Sequence, residues 1–483
     1  MQSIRSIGHV KPSNQPHISL CMIVRDEEQF LDDCLRSAEG IADEIIVLDT
    51  GSHDRTIEIA VSYGAKVFSF EWTESYSEAR NRSIELATGD WILILDADER
   101  LDASTAPLIC EAVQDSKFDA YRLIQINYCS SVSDAVSNPT CRLWRNRPEY
   151  RYQGRVHEDA ISSILKHGAN IRDLDARIHH LGTQPEILKQ RNKVEKYIEL
   201  IERELHDHPG DPRHLRDMAM SLQVIGEHAK AIPYLEQALK AVNHGSPLAE
   251  IIFASLARAW FDMGEYEKAL MTVRRAGSSG THHPEMSYTA GQSLTALDRF
   301  AEAIDYFNDA IELGKSGSWT GDSGAWGCKA HYSIAICMLK LDDPAGAVKH
   351  ALTAIEARPD MTQAHCILAE AYTAQNRLQE ALDCYSRSIE LDPSCAAPYF
   401  SAGDIIYSAG EYATAADLYS GGLTLKPDHA PGFFMLGNCY FRLGAYEAAV
   451  MAYRQSLSIN PDHIEARNNL ELAEEALNCA KVT

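Results

Sequence analysis

The chain has 483 residues, more than one core accommodates, and its 69 acidic and 45 basic residues give a formal charge of −24. That balance excludes a broad basic face for nucleic acid or an anionic membrane and favours a polar acceptor or a protein partner. Residues 1–17 hold no apolar core of signal-peptide length, and no apolar run nears the roughly 20 residues of a membrane span, so a cytoplasmic location is expected. The 12 cysteines include no Cys-x-x-Cys pair, which suits reduced thiols buried as small hydrophobes.

Strands are expected at 18–24, 44–49, 66–70 and 91–95, alternating with helices at 28–38, from after Asp54 to about Tyr63, and at 76–87. Alternation at these intervals implies an α/β domain, a mostly parallel sheet with helices on both faces, whose carboxyl edge is the place for a ligand. The fourth strand, Trp91-Ile92-Leu93-Ile94-Leu95, reads as buried on both faces and ends in Asp96-Ala97-Asp98-Glu99. Carboxylates so spaced can divide the work on a nucleotide diphosphate: one accepts from ribose hydroxyls, and the other holds a hard divalent cation. The plainer reading is that these acids cap a strand and face water. The same edge receives Arg25-Asp26-Glu27, Asp49 with Asp54, and Arg80-Asn81.

The ordered series MIVRDEE, VLDTGSHDRT, FEWTESYSEARN and GDWILILDADE closely resembles family 2 glycosyltransferases of GT-A (Rossmann-like) fold over roughly residues 15–183. The resemblance implies a nucleotide-sugar donor, UDP-linked, and Mn²⁺ or Mg²⁺. It implies that Val24, Arg25 and Glu27 border the base, that Asp49 accepts its imide N–H, and that Asp54 belongs to the same nucleotide-sugar-binding set. Asp96 then lies at the ribose and with Asp98 at the metal, while Arg80 and Asn81 occupy the family's Ala-Arg-Asn position. For Asp49 and Asp54 an N-cap and turn pair is the competing reading.

Farther on, 118–128 and 141–144 look like strands, and Arg151 to Glu158 resembles the family's Gly-x-Val-His-Glu segment. An inverting transferase needs a carboxylate to take the acceptor's proton. Glu158 is the candidate with Asp159 as fallback, since adjacent acids cannot be ranked by sequence; His157 orients the base, touches a phosphate or is structural. Ile178-His179-His180-Leu181-Gly182 resembles the family's closing His-aromatic-Gly strand, with Leu181 in place of the aromatic. There His180 completes the metal's coordination, unless the pair merely faces solvent, and imidazole beside carboxylates suits manganese.

After Gly182 the pattern changes. Pro359, Pro393, Pro427 and Pro461 recur every 34 residues, as do Ala381, Ala415 and Ala449, and Tyr385, Tyr419 and Tyr453. This is the tetratricopeptide (TPR) period, and it predicts inter-helix turns at Gly226, Gly264, Asp298, Asp342, Asn376, Gly410 and Gly444. Longer steps mark inserted loops, the larger being the Gly/Ser/Trp-rich stretch 314–327 with Trp319 and Trp326.

The expected plan is an N-terminal tail (1–17), a GT-A domain (18–183), a linker or capping helix (184–208), an all-α solenoid of seven repeats (209–460) and a capping helix (461–483). Its order is similar to that of bacterial peptide or protein glycosyltransferases of the sublancin S-glycosyltransferase type, which carry far fewer repeats. The implied activity is metal-dependent, inverting hexosyl transfer to a protein or peptide side chain, with acceptor or partner in the repeat groove. Surface polysaccharide or lipopolysaccharide synthesis, and a scaffold with an inactive transferase domain, are the alternatives; a homo-oligomer is compatible with either.

Overall fold

The structure is a computed structural model that describes residues 16–128, 135–155, 158–182, 193–316, 319 and 321–480. By contacts the chain divides into two compact units, one of residues 1–293 with 313–323 and the other of residues 294–312 with 324–483. No helix among the described residues is long and apolar enough to cross a membrane.

The first unit holds an eight-stranded mixed sheet in the order β3-β2-β1-β4-β7-β6-β8-β5. Strands β1 (Ile18–Val24), β2 (Glu44–Asp49), β3 (Lys66–Ser69) and β4 (Trp91–Ile94) run parallel, so their carboxyl ends share one edge. The expected parallel pairing is unbroken across these four. Strands β5 (Glu99–Leu101), β6 (Ala120–Tyr128), β7 (Ala135–Arg145) and β8 (Ile171–His180) make the other half mixed: β7 pairs antiparallel with β4 and β6, and β8 runs parallel to β6 and antiparallel to β5.

Because successive strand residues face opposite ways, the apolar runs supply two cores at once. Leu20, Met22, Val24, Leu93 and Leu95 pack on one face with Leu31 and Leu35 of α1 (Leu31–Ser37), Ala60 of α2 (Thr56–Ser62) and, across α3 (Tyr76–Glu85) in chain order, Ile109 of α4 (Thr105–Ala112). Cys21, Ile46, Ile92 and Ile94 pack on the other with Ile84 of α3 and Ile164 of α5 (Ile161–Lys166). All four residues of β4 are fully buried, each apolar side chain contributing about 1.5–3 kcal/mol by leaving water. The strand preceding Asp96 is thus a rigid mount.

Helix α6 (Lys193–Asp207) follows, and then the helical pairs begin with Pro212–Val224 and His228–Ala241. Pairs of the same kind run through Ala430–Arg442 and Tyr446–Ile459 to a last helix, Ile464–Ala480. Gly226, Gly264, Asp298, Asp342, Asn376, Gly410 and Gly444 all adopt positive φ, between 58° and 85°. This left-handed turn is where glycine is free of strain and where Asp and Asn are the tolerated alternatives. In the second unit the recurring tyrosines have a packing reason: a Cβ on Gly403 would lie 3.1 Å from the Tyr419 ring, and one on Gly437 would lie 2.6 Å from that of Tyr453. The tyrosine hydroxyls donate to Asp404 (2.5 Å) and Asn438 (2.8 Å). In the inserted stretch the Trp319 indole donates to the Leu313 carbonyl at 2.8 Å and meets His283 edge-on.

Candidate active site

A cavity of about 640 Å³ opens at the carboxyl edge of the parallel strands, a size suited to a ligand of nucleotide dimensions. Ile23 to Glu27 at and beyond the end of β1, Thr50 after β2, Trp72, Glu74 and Tyr76 before and in α3, Arg80, Asp96 to Asp98, and Glu158 line it. Lys196, Tyr197, Glu199 and Leu200 of α6 close one side. The helix expected to be a linker is therefore a wall of the site. Tyr76 stands edge-on between Trp72 (4.9 Å) and Tyr197 (5.9 Å), an aromatic rim with one member from α6.

Arg80 lies at the centre. Ser75 caps α3 by accepting from the Glu78 amide, and one turn later the helix delivers the Arg80 guanidinium beneath the end of β4. Its Nε donates to Glu158 (2.5 Å) and its Nη2 to Asp96 (2.6 Å), while its Nη1 is buried with no partner among the described residues. Burial alone would lower the Arg80 guanidinium; the Asp96 and Glu158 carboxylates instead hold it well above its usual value.

Asp96 has a second cation that sequence reasoning missed. Antiparallel pairing of Ile92 with Trp144 and Leu93 with Leu143 carries Arg142 to the end of β4. There its Nη2 reaches Asp96 (3.3 Å) and the fully buried Glu99 (2.7 Å). Burial would raise the Asp96 carboxyl, but the two guanidinium groups carry it far below the usual carboxylate range. The Glu99 carboxyl is pushed up, chiefly by burial, against the pull of Arg142. The available signal was a lone arginine in the apolar run Cys141-Arg142-Leu143-Trp144.

Asp98 and His180 meet through the sheet. Register Glu99↔His180 between β5 and β8, with the Leu181 amide donating to the Asp98 carbonyl, brings His180 Nε2 to 3.5 Å from Asp98 Oδ1. His180 Nδ1 is 2.8 Å from Asn127 Oδ1, which fixes the ring. His179 points to different partners, Tyr128 and Asp102. A nitrogen and a carboxylate oxygen converging at the sheet edge fit a first-row divalent ion. Asp96, expected in the same ligand set, has both oxygens on guanidinium groups.

The other expected site residues divide. Val24, Arg25 and Glu27 line the cavity. Asp49 does not line it: its carboxylate accepts from the Gly51 and Ser52 amides and fixes the turn that presents Thr50. Asp54 accepts from Thr56 and from the Glu28 amide, stapling the β2–α2 loop to the β1–α1 loop. Asn81 faces away, pairing through both ends of its amide with the Tyr152 backbone. Asp159 spends its oxygens on the first turn of α5, taking the Ile161 and Ser162 amides and the Ser162 hydroxyl. His157 lies outside the described residues.

Residues 19–168 match the model of glycosyl transferase family 2, and 362–395 and 430–463 match the tetratricopeptide repeat. Residues 224–310 match that of the anaphase-promoting complex, cyclosome, subunit 3. A TPR repeat-containing protein of Synechococcus elongatus is 38% identical over 234 residues, 46% of this chain and 56% of that one. The SPbeta prophage-derived glycosyltransferase SunS of Bacillus subtilis is 27% identical over 244 residues, 50% of this chain and 57% of that one. The lipopolysaccharide core biosynthesis glycosyltransferase LpsC of Rhizobium meliloti is 28% identical over 154 residues, 30% of this chain and 57% of that one. The chain thus spans little more than half the length of these curated relatives. With the strand-edge cavity and the helical pairs, the matches identify a family 2 glycosyltransferase domain of GT-A-like fold joined to a tetratricopeptide repeat array.

Proposed function

We propose that the chain is an inverting, divalent-metal-dependent glycosyltransferase that moves a sugar from a UDP-sugar to a protein or peptide side chain, with the repeats taking the acceptor or a partner. The observation that carries this reading is the convergence on one cavity of Asp98, paired with His180, and of Glu158, joined to Asp96 through Arg80.

In this reading the base lies between Val24, Arg25 and Glu27, above the turn that Asp49 holds, and Asp96, kept ionised by Arg80 and Arg142, accepts from the ribose hydroxyls. Mn²⁺ or Mg²⁺ held by Asp98 and His180 supplies positive charge against the leaving diphosphate. Arg80 Nη1, a donor without a partner among the described residues, adds a charge-assisted hydrogen bond to the same group. Glu158 accepts the acceptor's proton as the acceptor heteroatom bonds to the anomeric carbon and the bond to the diphosphate oxygen breaks. Arg80 orients that carboxylate, and the helix-capping duty of Asp159 favours Glu158 as the base. The LpsC relative supports a second reading, in which the acceptor is a glycan of the cell surface.

The test is UDP release from a panel of UDP-sugars with Mn²⁺ or Mg²⁺, followed by mass analysis of the acceptor. Asp98→Ala should abolish hydrolysis and transfer without unfolding the domain, and Glu158→Gln should lower turnover by about 10²–10⁴-fold. Near-normal turnover in Asp98→Ala contradicts the metal site. A hexose found only on glycan selects the second reading.

A further inference from the structure

We propose that Glu204, His208 and His214 form a second cation site, suited to Zn²⁺, at the junction of α6 with the first helical pair. Glu204 lies in the last turn of α6, His208 four residues on, and His214 in the first turn of the next helix. His208 Nδ1 is 3.5 Å and His214 Nε2 is 3.8 Å from the same oxygen, Glu204 Oε2, and the three donor atoms lie within 4.8 Å of one another. A tetrahedral zinc ion with bonds of about 2.0–2.1 Å holds its ligands about 3.3 Å apart. Two of the three separations therefore need to close by half an ångström or less.

Direct imidazole–carboxylate hydrogen bonding does not account for the cluster, because both distances exceed the normal range. His214 Nδ1 is also buried with no partner among the described residues. Glu204 is prepared as a ligand. Its side chain is 8% exposed, and its other oxygen, Oε1, accepts from the Arg155 amide at 2.7 Å. Such an outer hydrogen bond orients a metal-binding carboxylate. Two imidazoles and one carboxylate select zinc and its first-row neighbours over magnesium and calcium, and the second imidazole sets this site apart from the Asp98–His180 pair at the strand edge. His208, the exposed member, leaves the fourth position to water. An ion here ties the end of α6 to the following helix and, through Arg155, to the segment that leads to Glu158.

The test is Co²⁺ titration of the full chain in excess Mg²⁺, comparing wild type with His208→Asn and His214→Asn. Wild type should take up one equivalent with the visible bands of tetrahedral Co²⁺, which Zn²⁺ displaces. Zn²⁺ should raise its melting temperature and EDTA should reverse the shift. Each variant should lose that equivalent and the Zn²⁺-dependent shift while melting like wild type in EDTA. His208 is largely exposed, so its variant folds even if His214→Asn does not. A wild type without the tetrahedral equivalent, or a His208→Asn protein that retains it, overturns the proposal.

Discussion

Gly182→Ala perturbs the site through one methyl group. A Cβ at residue 182 would lie 1.9 Å from Asp98 Oδ2 and 2.6 Å from its carboxyl carbon, whereas real Cβ atoms are essentially never nearer than 3.0 Å to a neighbour. The carboxylate must retreat by about 1 Å. The displaced group is the tip of a side chain at the cavity, so the fold absorbs it, and urea unfolding should change by less than about 1 kcal/mol. Catalysis is less tolerant, since misplacing a reacting or coordinating group by 1 Å costs about 10²-fold, or about 2.7 kcal/mol of transition-state stabilisation. In a UDP-release assay with varied Mn²⁺, Gly182→Ala should lower kcat/KM about 100-fold and raise the Mn²⁺ concentration needed for half-activation. A kcat/KM within twofold of wild type would refute the placement of Asp98 in the site.

Arg142→Met should destabilise the domain by about 3–5 kcal/mol in urea unfolding, because it leaves the fully buried Glu99 without its cation and Asp96 with Arg80 alone; a loss under 1 kcal/mol would show that Glu99 is content as a neutral acid. Glu44 bears on pH dependence: partial burial would raise its carboxyl, but Lys66, Ser19 and Thr88 bring it down to about 2. A depressed folded-state pKa stabilises above the unfolded value near 4.5 and is lost as pH falls towards 2. The stability gap between wild type and Glu44→Gln should therefore be full above about pH 4.5 and vanish by about pH 2, and a gap constant with pH contradicts the account. Gly410→Val, which forces a β-branched residue to φ 85°, should lower the melting temperature, while Asp298→Gly, at φ 58°, should leave it equal or higher.

The parallel half of the sheet was legible because burial on both faces writes itself as unbroken apolar runs: Trp91 to Leu95 leaves little else for a chain to do. The repeats were legible for a different reason. Their period is 34 residues, and the left-handed turn admits few residue types, so even Asp298, Asp342 and Asn376 were placed where glycine was absent. What stayed hidden depends on registers between distant strands. Strand β5 is three residues long and two of them are charged, so no apolar run marks it. Arg142 joins Asp96 only because β7 returns antiparallel beside β4. The role of α6 was unreadable because an amphipathic helix shows which face it buries but not what lies opposite. Asn81, Asp54 and Asp159 mark the converse: short polar side chains near a site resemble ligand contacts until the backbone groups they satisfy are seen.

The central claim is that Asp98 and its neighbours at the strand edge hold a cation-dependent nucleotide sugar. Calorimetric titration of UDP into the full chain, with Mn²⁺ and after its removal by EDTA, tests it most directly, with Asp98→Asn as the matched control. The account predicts one UDP bound per chain with Mn²⁺, and binding at least tenfold weaker both in EDTA and in the variant. Equal affinity in all three, or no binding of UDP in any, would contradict it.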